Sequence, residues 1–197
     1  WMAAEQSGGA SSIYAAQQTD RDMMGFEIPA TWFQSLNPFF VVLFTPLAMI
    51  IWTSAGRHIN QAQKFGIGFI FTAIGFLMMV GAFWEASVAS DGKSAALWLV
   101  AAYLFMTFGE LCINSVGLNL VNTYAPVRML GSVLALWFLC TALGNFLSGI
   151  VGSLTASYAD GIVFGGIAAG CLGAAILLFT GSRWWSRFVH DHEGRDG

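Results

Sequence analysis

The sequence predicts an all-α membrane protein, a bundle of six spanning helices, and three observations carry that prediction. Charged residues make up 10% of the 197 positions and hydrophobic residues 56%, with a mean hydropathy of +0.66; a soluble domain carries roughly 25% charge. The charges fall between long charge-free runs, at 6–19, 28–56, 65–84, 94–109 continuing from 111 to 127, 129–159 and 161–182. Lys and Arg are unevenly shared between the two faces that alternating loops define. An ionised side chain at the centre of a bilayer costs on the order of 2.5–3.5 kcal/mol, and a span needs about 20 residues. The runs therefore become helices over 1–17, 31–54, 65–85, 97–122, 132–156 and 162–181, with a tail over 182–197. Helices of a large soluble protein would instead show apolar stretches of roughly 10–14 residues between polar faces.

The first span opens on Trp1 with no basic leader or cleavage site, so the chain reads as a piece of a longer protein and its first helix as cut short. Glu5 lies in it, and Gly8, Gly9 and Ser12 follow at i+3, i+4 and i+7, a small and polar stripe on one helical face. The second span begins with SLNP, where Pro38 removes a backbone donor beside Asn37, and Pro46 adds a second break. Broken helices beside polar side chains mark binding sites in transporters; a plain kink, with Asn37 satisfying a neighbouring carbonyl, fits the same residues. The third span is charge-free from Phe65 to Trp84.

In the fourth span Asn114 and Gly117 follow Glu110 at i+4 and i+7, and in the fifth Trp137, Thr141, Gly144 and Ser148 make a third stripe. Three helices can thus turn wettable faces to one centre, although each stripe alone also suits close helix packing. Gly144, Ser148 and Gly152 in the fifth span, and Gly161, Gly165, Ala169 and Gly173 in the sixth, recur every four residues. That spacing lets membrane helices approach closely and reads as packing. Trp32, Trp52, Trp84, Trp98, Trp184 and Trp185 fall at span ends, where indoles prefer the headgroup level; Trp1 and Trp137 do not fit that belt.

Glu5 and Glu110 are residues that a bilayer should exclude, and an intramembrane carboxylate is by default a functional candidate. The bland readings are a permanently protonated or paired Glu110, and a Glu5 at the mouth of its span. Counted from the outer ends of their spans, Glu110 is roughly 20 Å deep, Glu5 roughly 18 Å and Asn37 roughly 9 Å. The two carboxylates are expected to share one cavity, with Asn37 peripheral unless its span starts earlier.

One face collects Arg57, Lys64, Arg128, Arg183, Arg187 and Arg195, the other only Arg21 and Lys93, which puts the tail in the cytoplasm. A net charge of −3 with scattered basic residues gives no nucleic-acid footprint. Cys112, Cys140 and Cys171 stand alone in apolar stretches and read as packing residues. His58, His190 and His192 lie in a loop or the tail, which leaves no intramembrane base for Ser115 or a cysteine and argues against an enzyme. His190 and His192 flank Asp191 in what reads as a solvated tail, not a metal site.

The motifs GELCINSVGL around Glu110, SLNP in the second span and LWFLCTALGN in the fifth resemble the proton-coupled oligopeptide transporters of the major facilitator superfamily, and WMAAEQ and QKFGIGF are similar too. The resemblance runs in register from Trp1 to about Gly152. It implies that the chain is the C-terminal half of a major facilitator fold, helices seven to twelve, working with an N-terminal six-helix half whose ExxER motif would precede residue 1. The family usually has Ser-Pro where this chain has Asn114 and Ser115, which removes the residue behind the usual bend of the tenth helix.

The same resemblance implies the roles. Glu110 matches the carboxylate that receives a peptide's amino terminus through a charge-assisted hydrogen bond. Asn37 matches an amide that offers donor and acceptor to the peptide backbone. Trp137 matches an aromatic wall of a side-chain pocket, and Asn114, Trp1 and Thr141 join it as substrate-binding positions. Glu5 matches an acid linked to proton coupling, since a carboxylate that gains and loses a basic partner can release and take up a proton. The expected activity is symport of di- and tripeptides with protons across the inner, or plasma, membrane by alternating access, with protons as the coupling ion and no cofactor. A carrier of another small metabolite or anion on the same fold, or a membrane scaffold subunit, is the alternative.

Overall fold

The computed structural model describes the backbone of residues 1–23, 25–54 and 59–193, and side chains over the same ranges except at 7, 23, 123, 124, 127 and 182–193. Arg57, His58 and Arg195, and the side chains of Arg183, Trp184, Trp185, Arg187, His190, Asp191 and His192, lie outside the described residues. The helices are α1 (Ala10–Gln17), α2 (Ala30–Gln34), α3 (Leu36–Ser54), α4 (Gln61–Val88), α5 (Ala96–Tyr124), α6 (Leu130–Leu154) and α7 (Asp160–Glu193). Five stretches among the described residues are long and apolar enough to cross a membrane: Ala30–Ser54, Gln61–Val88, Ala96–Asn122, Leu130–Leu154 and Asp160–Gly181. The architecture is thus all-α and of membrane type.

Local chemistry explains where the helices start, bend and stop. Asn60 and Gln63 form a reciprocal capping box at the head of α4, with the Asn60 N–H donating to Gln63 Oε1 at 3.2 Å. Pro38 does not loosen its helix: it sits in the first turn of α3, where N–H groups have no intrahelical partner. The Phe39 N–H donates to the Ser35 carbonyl at 3.2 Å, which carries hydrogen bonding across from α2. Pro46 lies inside α3 without ending it. Helix α5 runs unbroken through Asn114 and Ser115, where no proline interrupts the ladder. The backbone of α7 stays helical to Glu193, past the expected start of the tail, because charge ends an apolar span without ending a helix.

The expected helix over 1–17 is not continuous. A 3-10 turn covers Ala4–Ser7, the backbone leaves helical geometry at Gly9 (φ −102°, ψ −119°), and α1 begins at Ala10. Gly8, Gly9 and Ser12 are therefore not one stripe on one helix.

Helix α4 occupies the middle of the bundle, packed along its length against α5 and α7, while α3 lies on α5. Glycines set the α4–α5 approach. A Cβ on Gly75 would stand 2.7 Å from Met106 Cγ, and one on Gly68 would stand 3.0 Å from the Gly109 carbonyl. The α6 stripe is buried at Gly144, Ser148 and Gly152, and its partner is the first segment, with Trp1 and Met2 over Gly144 and Gly9 over Gly152. The α7 stripe behaves differently. Gly161 meets Phe83, but the space around Gly165 and Gly173 is open, and α7 buries Val163, Phe164, Ile167, Ala168 and Cys171 instead. Cys112 and Cys171 are buried, whereas Cys140 is exposed and packs no core.

Short strands gather the helix ends at one end of the bundle. Thr19–Asp20 (β1) pairs in parallel with Ser94–Ala95 (β4), and Asp22–Met23 (β2) pairs antiparallel with Phe26–Glu27 (β3). Arg21 bridges Glu27 at 2.6 Å. Tyr14 OH donates to Ser94 Oγ at 3.0 Å, and Gln18 Nε2 donates to Asp160 Oδ2 at 2.6 Å. The ends of α1, α4 and α6 thus meet on one side, as successive crossings require. At the other end Lys64 Nζ lies 5.4 Å over the Trp52 ring.

Candidate functional site

Two amide side chains from two helices converge on one carboxylate, and a hydroxyl stands beside them. Asn37, in the first turn of α3, donates from Nδ2 to Glu110 Oε2 at 2.9 Å, and the same nitrogen lies 3.4 Å from Thr107 Oγ1. Asn114 Nδ2 approaches Glu110 Oε1 at 3.5 Å, the outer limit of a hydrogen bond. Thr107, Glu110 and Asn114 stand at i−3, i and i+4 on one face of α5. This bond corrects the depth count for Asn37: it sits level with Glu110, and its span does start earlier, at Ala30.

Trp1 and Trp137, the two tryptophans outside the interfacial belt, pack edge to face with ring centroids 5.7 Å apart. Each is placed by a glycine. A Cβ on Gly117 would overlap the Trp137 indole, and one on Gly144 would overlap Trp1. Trp1, Glu110, Phe69 and Thr72 enclose a small cleft, so the aromatic pair adjoins the carboxylate. Thr141 takes a different place: its Oγ1 donates to the Trp137 carbonyl at 3.3 Å, within its own helix.

Glu5 lines a polar cavity of about 370 Å³ together with Gln34, Asn37, Asn145 and Ser148. Glu110 does not line that cavity, so the two carboxylates do not simply share one chamber. Asn37 stands between them, lining the Glu5 cavity while bonding Glu110. On the far side of Trp1, between α6 and α7, lies an apolar cavity of about 620 Å³.

Sequence reasoning missed Thr107, Gln6, Gln34 and Asn145. The i−3 spacing from Glu110 was a usable signal for Thr107. Gln6 is fully buried and bonded across the break in the first segment, for which only the neighbouring glycine pair was a hint.

This arrangement can bind a cation at Glu110 and a polar chain beside it through amides, against an aromatic wall. Known proteins carry the same pattern of helices. The model of the POT family (PTR2) matches residues 1–165. The peptide transporter YePEPT of Yersinia enterocolitica subsp. palearctica is 38% identical over 155 residues, 77% of this chain and 30% of that protein. Dipeptide and tripeptide permease B of Aeromonas hydrophila is 32% identical over 203 residues, 94% of this chain and 40% of that protein. A crystal structure of a peptide transporter POT in complex with sulfate has TM-score 0.78 at 26% identity, covering 94% of this chain and 39% of that one. A POT family transporter in complex with 5-aminolevulinic acid gives TM-score 0.80 at 21% identity over 91% of this chain and 37% of that one, a likeness of fold alone. The chain spans well under half the length of these relatives. With the family model matched over most of its length and these relatives beside it, the chain belongs to the POT family.

Proposed function

We propose that this chain is the C-terminal half of a proton-coupled symporter of di- and tripeptides, completed by an N-terminal six-helix half around a shared central cavity. It lies in the plasma membrane, the inner one in a two-membrane cell, with its C-terminus cytoplasmic, and moves its substrate without any covalent step. The observation that carries this reading is the Asn37–Glu110 bond of 2.9 Å. Asn37 satisfies the carboxylate from within the chain. An arriving peptide ammonium is a stronger donor to the same oxygen, and taking it frees the Asn37 amide to bond the peptide backbone as donor and acceptor. Asn114 is the second amide in reach, Trp1 and Trp137 receive side chains by apolar area, and Thr141 supports Trp137 from within α6.

Glu5 supplies the proton site. It faces a cavity walled by amides and a hydroxyl, and its cationic partner belongs to the N-terminal half; exchange of that partner during rocking would switch the carboxylate between protonated and ionised forms. Uptake of a labelled dipeptide by the full-length transporter, with and without a proton gradient, tests the reading. Accumulation should collapse when the gradient is removed, and accumulation that persists would refute symport.

A further inference from the structure

Gln6 is a buried polar side chain that the transport reading does not use. It is 0% exposed and sits beside the proposed proton site. In an α-helix its N–H would reach the Met2 carbonyl, and the Ala10 N–H would reach the Gln6 carbonyl. The tighter 3-10 turn takes those groups elsewhere: the Gln6 N–H donates to the Ala3 carbonyl at 3.3 Å, and the Gln6 carbonyl receives the Gly9 N–H at 3.0 Å. The Met2 carbonyl and the Ala10 N–H are left over, and one carboxamide serves both. Gln6 Nε2 donates to the Met2 carbonyl at 3.3 Å, and Oε1 accepts from the Ala10 N–H at 3.1 Å.

A second helix locks the same turn. Ser148 Oγ on α6 donates to the Glu5 carbonyl at 2.9 Å. Gly9 leaves the necessary room, since a Cβ there would stand 2.8 Å from both Gln6 Oε1 and Ser148 Oγ. Adjacent residues of a 3-10 turn point roughly 120° apart. With Gln6 pinned inward by two bonds, the neighbouring Glu5 is turned into the polar cavity that it lines with Asn37.

The geometry points to Gln6 as the positioning residue of the site: its carboxamide, spanning the break from Met2 to Ala10, fixes the direction in which Glu5 enters the cavity, with Ser148 as the clamp from α6. The consequence for transport rests on the symport reading above, but the aim of residue 5 can be measured without it.

Gln6→Met keeps the length of the side chain and removes both bonds. In the full-length transporter, freed of its native cysteines, Glu5→Cys should react readily with a small charged methanethiosulfonate, and Gln6→Met should slow that reaction at least about tenfold, as misplacements near 1 Å do elsewhere. In the Glu5 protein, Gln6→Met should cut proton-driven accumulation by a similar factor and leave peptide counterflow within about twofold. If Gln6→Met does not reach the membrane, Ser148→Ala, which removes the clamp and keeps a small side chain, carries the labelling arm. An unchanged labelling rate, or equal losses of accumulation and counterflow, would overturn the proposal. A parent that accumulates no peptide while Gln6→Met still slows labelling would refute symport and leave the positioning role standing.

Discussion

Glu110→Gln is the substitution whose cost can be worked out from contacts already described. Gln has nearly the volume of Glu, and its Oε1 can still accept from Asn37 at the 2.9 Å seen here. The Asn114 contact, at 3.5 Å, is too long to contribute much. The structural loss should therefore be small, below about 1 kcal/mol. What disappears is the charge that meets the peptide ammonium, worth about 1.5–3 kcal/mol, or about 10- to 150-fold in affinity. The assay is binding of a dipeptide and of its N-acetylated analogue to the purified full-length transporter and to the variant. The free dipeptide should lose the whole factor. The acetylated analogue, weak in the parent because it brings no cation, should lose much less, and the difference isolates the contact as in a double-mutant cycle. Equal losses for the two ligands would refute ammonium recognition and leave Glu110 as a support for Asn37.

Glu5→Gln removes a titratable proton and keeps size and polarity, so gradient-driven accumulation should vanish while peptide counterflow persists; accumulation at the parent level would place proton coupling elsewhere. Gly117→Ala puts a methyl where the Trp137 ring lies and should break the edge-to-face contact with Trp1, worth about 0.5–1.5 kcal/mol, together with the pocket wall. Weaker dipeptide binding and a shifted indole emission are expected, and unchanged emission would count against the pairing. For topology, a cysteine at Ser90 in a cysteine-free background should react with an impermeant maleimide added outside intact cells, and one at Asn60 should not. The reverse pattern would invert the orientation.

The membrane-helix character was legible because the signal is local: a bilayer penalises charge residue by residue, so the charge-free runs show directly where apolar helices form. Glu110 and Asn37 were legible one at a time, as polar residues in apolar spans, but their contact joins positions 73 apart, and counting rise along each helix misjudged their relative depth. Trp1 and Trp137 stood out by failing the belt criterion, and that failure was the signal, since an indole away from the headgroups needs another reason to be there. The Gly8 and Gly9 pair misled because i+3 and i+4 spacing describes a helical face whether or not the helix is intact; the break depends on Gln6 and on Ser148, far along the chain. Spacing misled again in α7, where small residues every four positions mark a face but cannot say whether a neighbour lies against it.

The tethers of the first segment bear on how the protein is made. Two of the groups that hold it are synthesised late. The Ser148 hydroxyl that takes the Glu5 carbonyl comes 143 residues after it, and the carboxylate of Asp160 that takes Gln18 comes 142 residues after that glutamine. Contacts so distant in sequence cannot form until the intervening chain is in place. During biosynthesis the Glu5 turn therefore takes its final form only once α6 has arrived to seat it, after the Ser94 contacts to Tyr14 and Gln18 have become possible.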